Sequence, residues 1–376
     1  MYTYDDKDIE QENLYKDYSD EYIDPFDPKK IHIESKSLTI SNIVDRLENE
    51  EIILDPDYQR NGDLWDNKTQ SRLIESLIIS IPLPVFYFDC LPDDRYEVVD
   101  GLQRLTAIKR FMAKNSESPL RLCDLEYMTE YNGMLFQDLP ANIQRRIREQ
   151  NIQAYIIMQG TPNKIKSSIF KRINTGGLVL TNAEIRNAIY RGRVASLLKE
   201  LSMTEEFVDA TRNSISPKRM LDREFVNRFL AFFVLGIDKY KGNLESYLND
   251  VLDFLDNDSE ENYKMYRLSF LKSMKICKEI FDRNAFRKIT INEDKKPVYS
   301  VINKPLFDCV SVCIASLKDW EQQRLVERKS IFLEKYIGLV LSEEFRDIIS
   351  NGTATIENVK KRHMRMREII SEVIND

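Results

Sequence analysis

Tyr96-Glu-Val-Val-Asp-Gly-Leu-Gln-Arg-Leu-Thr106 changes periodicity at its centre. Tyr96 to Val99 has the aromatic and β-branched character of a half-buried strand, whereas Leu105, Ile108, Phe111 and Met112 recur at helical spacing. Gly101 stands between them, where a sharp backbone turn needs a residue without a Cβ. The stretch therefore predicts a strand, a glycine turn and a helix. Gln103 and Arg104 fall in the first helical turn, so backbone N–H groups, the positive helix end and a guanidinium converge there, which suits a polyphosphate. Asp100, at the end of the strand, reads either as the helix N-cap or as a carboxylate holding Mg²⁺ beside phosphate oxygens.

Working outward, Val85-Phe-Tyr-Phe88 and Tyr96-Glu-Val-Val99 flank a Pro-Asp-Asp turn as a hairpin. Ahead of them, Asn67 with Gln70 forms a capping-box pattern for a helix with Leu73/Leu77 and Ile74/Ile78 pairs, stopped by Pro82. A short helix between Ser37 and Glu50 and a short strand at Ile52 to Leu54 come earlier still. Downstream, Gln153 to Met158 reads as a strand, Ile165, Ile169 and Ile173 as a helix, Thr175-Gly176-Gly177 as a turn, and Thr181 with Glu184 as a second capping box. After Gly192 the strand signals nearly vanish and the segments near 225–235, 244–255, 263–283, 306–320, 331–347 and 356–374 read as helices. The expected organisation is an α+β domain over 35–195 and an all-helical domain over 196–376. Residues 1–34 read as an acidic flexible arm with no core role.

Composition sets the class. The 376 residues are 42% hydrophobic and 31% charged, enough apolar material for a folded core. Five cysteines without metal or disulfide spacing fit a reducing cytoplasm. The N-terminus lacks a leader pattern, and the longest apolar stretch, Leu77 to Phe88, is interrupted by Pro82 and Pro84, so no membrane association is expected. The net charge of -7 is uneven: residues 1–30 hold ten acids and four bases, while 141–228 holds sixteen bases and eight acids. The basic segment, including Arg145, Arg146 and Arg148, could meet DNA backbone independently of sequence, or be an ordinary solvated surface. The stretch Lys360-Lys-Arg-His-Met-Arg-Met-Arg367 could likewise face DNA or an acidic partner, the arm included. His32 and His363 are the only histidines; they are far apart and read as surface or helix-lining, which argues against HNH, zinc or Ser/His/Asp chemistry.

Four blocks give the chain a resemblance. Asp57-Tyr58-Gln59-Arg60, Leu73 to Pro84, Tyr96 to Thr106 and Phe170 to Glu184 follow one another in the order found in the N-terminal domain family typified by the GmrS half of GmrSD modification-dependent restriction systems, within the ParB/sulfiredoxin-like superfamily. Weaker likeness continues at Arg219-Met-Leu-Asp-Arg223 and Asn303-Lys-Pro-Leu-Phe307. The resemblance implies a ParB/sulfiredoxin-like nucleotide-binding domain in which the D-G-x-Q-R box wraps phosphates. Carried over residue by residue, it selects Gln59, Arg60, Asp100, Gly101, Gln103, Arg104 and Asn174, with Asp100 and Asn174 toward Mg²⁺ and Asp100, Gln103 and Arg104 in NTP hydrolysis. The family's first Gln of D-G-Q-Q-R is Leu102 here; an alkyl side chain makes no hydrogen bond, so binding is expected to outlast turnover. The implied function is an NTP-binding, Mg²⁺-dependent NTPase-like sensor or regulator in a prokaryotic anti-phage or restriction system, working on DNA with a nuclease or other defence subunit in trans. The alternatives are a self-contained metal-dependent DNA nickase and a non-hydrolysing nucleotide-gated DNA clamp or scaffold.

Overall fold

The computed structural model describes residues 9, 10, 12, 31–54, 65–173 and 181–375. The chain divides into two compact units, Pro25–Val179 and Leu180–Asp376 with Met1–Asp24.

In the first unit the order is β1 (Ile33–Thr39), α1 (Ile40–Glu48), β2 (Ile52–Ile53), α2 (Asn67–Ile78), β3 (Phe86–Cys90), β4 (Tyr96–Asp100), α3 (Leu102–Met112), α4 (Ala141–Glu149), β5 (Asn151–Ile157) and α5 (Asn163–Ile173). The strands form one sheet in the order β1-β5-β3-β4-β2. The expected hairpin is present: β3 and β4 pair antiparallel, with Phe88 opposite Val98 and Asp89 opposite Glu97. β3 also runs parallel to β5, which pairs antiparallel with β1. Alternation sends Phe86, Phe88, Ile152, Ala154 and Ile156 to one face, where Ile43, Ile74, Leu77, Leu105 and Ile108 from the helices complete the core.

Two details depart from the sequence reading. The helix near 37–50 is preceded by β1, whose mostly exposed Ile33-Glu-Ser-Lys-Ser sequence carries little of the apolar alternation of a buried strand. The N-cap of α2 is Asp66, whose carboxylate accepts the Thr69 N–H at 2.7 Å, so Asn67 is the first helical residue rather than the cap.

The second unit is largely helical: α6 (Asn182–Ile189), α7 (Gly192–Ser202), α8 (Glu205–Ala210), α9 (Leu221–Leu230), α10 (Leu244–Asp256), α11 (Glu260–Phe281), then β6 (Arg287–Ile291) and β7 (Pro297–Ile302), then α12 (Lys304–Ala315), α13 (Asp319–Glu327), α14 (Lys329–Leu341), α15 (Glu343–Ile348) and α16 (Ile356–Asn375). The antiparallel β6–β7 hairpin corrects the all-helical expectation. Its outer half, Ile291 to Val298, is exposed and charged, which hides the strand alternation. Pro305 to Ala315 of α12 is buried throughout, and Phe307 makes edge contacts with Phe225 and Phe286 at 4.9 and 4.8 Å between ring centres. The acidic arm was expected to stay outside the core, yet Glu12 is buried against Arg228 of α9, because two cations face its carboxylate.

Candidate nucleotide-facing turn

β4 delivers Asp100 to the sheet end, and Gly101 turns the chain with φ 101° and ψ 11°. Two constraints fix a glycine there. The positive φ disfavours any side chain, and a Cβ would stand 2.4 and 2.8 Å from carbons of the Phe86 ring. The helix then starts at once, with the Leu105 N–H donating to the Gly101 carbonyl at 2.8 Å. Gly101, not Asp100, is the N-cap, and it offers no side-chain acceptor to the first turn.

Asp100 instead pairs with Arg104, whose Nη2 donates to its Oδ2 at 2.6 Å, while about a third of the Asp100 side chain stays exposed. Arg104 is buried. Its guanidinium lies over the Phe86 ring at 4.3 Å and donates to the carbonyls of Pro84 and Val85, the latter at 3.2 Å. Burial pulls its pKa below the usual arginine value, and Asp100 opposes that shift. Arg104 therefore does more than present charge: it ties the Leu73 to Pro84 block to the Asp-Gly-Leu-Gln-Arg block.

Gln103 makes a tie to the residues that lead into α2. Its Oε1 accepts the Trp65 N–H at 3.2 Å, and the Trp65 carbonyl accepts from Gln70 Nε2 at 2.7 Å. Leu102 is half-buried in the same helical turn. Gln59, Arg60 and Asn174 lie outside the described residues, as does the Thr175-Gly176-Gly177 turn. The Tyr-Gln-Arg and Asn-Thr-Gly-Gly blocks therefore add no geometry to this turn.

Motif residues elsewhere prove structural. Glu75, inside the second block, accepts the backbone N–H groups of Glu126, Tyr127 and Met128 at 2.7–3.0 Å and pins that loop. Burial raises its pKa, but the three N–H groups and Arg72 outweigh burial and hold it below the usual carboxylate range. In the second unit the predicted capping box forms, Thr181 Oγ1 accepting from the Glu184 N–H at 3.2 Å and Glu184 Oε2 from the Thr181 N–H at 2.7 Å. Glu184 also holds Arg219 at 3.0 Å, which joins this box to the Arg219-Met-Leu-Asp-Arg223 block. Asn303, which opens the last weak block, caps α12 through the Leu306 N–H at 2.9 Å.

The sequence reading missed a buried polar set on the other face of the sheet. Asp89 and Glu97 face each other across β3 and β4, and Lys166 of α5 lies 2.6 Å from Asp89. Asp89 inside the apolar run Phe86-Tyr-Phe-Asp-Cys90 was the available signal, since a charge within a buried strand needs a partner. Among the described residues no group of three or more His, Cys, Asp or Glu side chains is arranged to hold a metal, and no helix is long and apolar enough to cross a membrane.

Among the described residues, the basic segment holds both exposed and buried cations. Arg145, Arg146 and Arg148 are exposed on α4, but Arg146 donates to the Ile78 carbonyl and Arg148 lies over Phe136. Arg186 and Arg228 are buried in ion pairs of the second unit.

A five-stranded α+β unit with a glycine-turned strand-to-helix junction, clamped from both sides by Gln103 and Arg104, defines the class. Residues 40–191 match the family described as the GmrSD restriction endonuclease, N-terminal domain, and the chain carries that domain there. No curated protein matches the chain.

Proposed function

We propose that the first unit is a ParB/sulfiredoxin-like nucleotide-binding module and that the chain is an NTP-dependent sensor or regulator in a prokaryotic restriction or anti-phage system, acting in the cytoplasm on DNA with a nuclease in trans. The observation that carries this reading is the Asp100-Gly101 turn: a carboxylate one-third exposed stands at a helix start that lacks a side-chain cap, in the domain type of a restriction endonuclease. Phosphates would meet the first turn of α3. Asp100 would hold Mg²⁺ through the oxygen that Arg104 leaves, and the metal would supply charge neutralisation for the phosphates. Gln59, Arg60 and Asn174 join the site on the family pattern. Gln103 and Arg104 keep the turn in shape, and Leu102, with no hydrogen bond to offer a water, leaves hydrolysis slow.

Thermal-shift measurements with each NTP, with and without Mg²⁺, test the reading, because a ligand bound only by the folded state raises its stability. At least one NTP is expected to raise the melting temperature, and Asp100→Asn to remove the Mg²⁺-dependent part. Leu102→Gln should raise phosphate release more than it changes affinity. No shift with any NTP would overturn the nucleotide assignment. Arg104→Ala is the poorer probe, since it also frees the Pro84 and Val85 carbonyls.

A further inference from the structure

Ile9 bridges in parallel to Ile302 on β7, and the Glu10 N–H donates to the Ile302 carbonyl at 3.0 Å. The arm thus adds backbone to a sheet edge. Glu10 and the next described arm residue, Glu12, both carry a carboxylate to this unit. Glu10 accepts from Lys288 Nζ at 2.5 Å and from Asn303 Nδ2 at 2.8 Å. Glu12 accepts a two-pronged grip from Arg228 at 2.9 and 3.1 Å, and a third bond from Thr353 Oγ1 at 2.8 Å. Burial pushes the Glu12 carboxyl up, but Arg228 and Lys304 more than reverse this and keep it ionised.

The receiving side chains have a second partner within the helical unit. Arg228 uses its other edge on Asp308, at 2.9 and 2.6 Å. Lys288 reaches Ser350 Oγ at 2.7 Å, and Asn303 donates to the Ile349 carbonyl at 2.9 Å while capping α12. Departure of the arm would therefore leave neither Arg228 nor Lys288 unpaired. A surface that keeps its shape without its occupant is preorganised for binding.

We propose that the β7 edge, with Arg228, Lys288, Asn303 and Thr353, is a docking groove for an acidic peptide bearing carboxylates two residues apart, and that Ile9, Glu10 and Glu12 occupy it in cis as an exchangeable latch displaced by such a peptide segment of a partner protein. A peptide rather than a nucleic acid fits, because the Ile302 carbonyl is met by a backbone N–H and the Arg228 fork by a planar carboxylate. The groove residues all belong to the helical unit.

A fluorescent peptide of residues Asp8 to Tyr15, followed by anisotropy, tests this on the full-length chain. It should bind the Glu10→Gln/Glu12→Gln protein at least tenfold more tightly than the wild type, whose own arm competes. The same peptide carrying both Gln changes should not bind, and adding Lys288→Gln to the protein should weaken binding at least tenfold while the circular dichroism is unchanged. Equal affinity for wild type and double variant, no binding to the folded variant, or displacement of the peptide by duplex DNA would overturn the groove. A measurement on the wild type keeps the test open should the variant not fold: excess unlabelled peptide, which contains no Lys or Arg, should accelerate tryptic cleavage at Lys7 and Lys16. An unchanged cleavage rate would overturn the exchange.

Discussion

Gly101 and Arg104 impose opposite demands on one ring. Gly101 must lack a side chain because Phe86 already occupies the space a Cβ would take, and Arg104 must be long because it crosses that ring to reach Asp100 and two carbonyls. Gly101→Ala meets both a left-handed backbone, about 1–2 kcal/mol, and overpacking against Phe86, about 1–3 kcal/mol. Gly160 separates the two effects: it lies in the same unit at φ 84° with nothing within 4 Å of a Cβ. Gly160→Ala should therefore lose only the backbone part. Urea unfolding in a Trp320→Phe background, where Trp65 is the single tryptophan, should show Gly101→Ala as the more destabilised variant by at least 1 kcal/mol. Equal losses would mean that Phe86 yields and that the close packing of the turn is not what fixes glycine.

Elements with strong local signals were legible. The β3–β4 hairpin, the glycine-started α3 and the capping box of α6 follow from alternation, 3.6-residue spacing and an S/T-x-x-E pattern, each of which is a local property. What was not legible depends on partners distant in sequence. The β6–β7 strands are short and end in a charged turn, β1 is a largely exposed strand, and the α2 cap moved by one residue because Asp and Asn both qualify at adjacent positions. At the candidate turn, Arg104 pairs with Asp100 while Gln103 accepts from Trp65. Their bonds to Trp65, Pro84 and Val85 could not be read, since those acceptors and donors are backbone groups. The α6 box offers a direct check of a locally read element. Thr181→Ala should cost about 1 kcal/mol, and Thr181→Ser, which keeps the acceptor, only a few tenths. The measurement is the urea midpoint followed by Trp320 fluorescence in a Trp65→Phe background; an Ala variant as stable as wild type would show that Glu184 and Arg219 hold the helix start alone.

The two tryptophans fall one in each unit, so each unit has its own fluorescent reporter. The helical unit holds a buried histidine that makes its stability sensitive to acid. His363 is buried on α16 with its ring 5.2 Å from Phe232 and its Nδ1 2.8 Å from the Val359 carbonyl. Burial, with Arg362 and Arg367 adding to it, pushes its pKa down to about 3. The folded state thus keeps this imidazole neutral while the unfolded chain protonates it near pH 6.5, so the unfolded state binds the extra proton as pH falls. Stability must then decline on the acid side of 6.5, approaching about 1.4 kcal/mol per pH unit for one proton. Two carboxylates steepen the decline further down. Burial raises Glu224 and Glu12, but Lys304 and Arg186 bring Glu224 down to about 2, and Arg228 and Lys304 bring Glu12 below its usual range. Their contribution is present above the unfolded value near 4.5 and is lost as pH falls toward the folded values. Urea midpoints of the Trp320 transition at pH 7, 6, 5 and 4 should therefore fall slowly at first and faster below 4.5. His363→Phe, which keeps a ring against Phe232 without a proton to bind, should flatten the upper part of the curve and leave the lower part unchanged. A wild-type curve that is level between pH 7 and 5 would mean that the imidazole is protonated in the folded state and that His363 is not the acid-sensitive element of the helical unit.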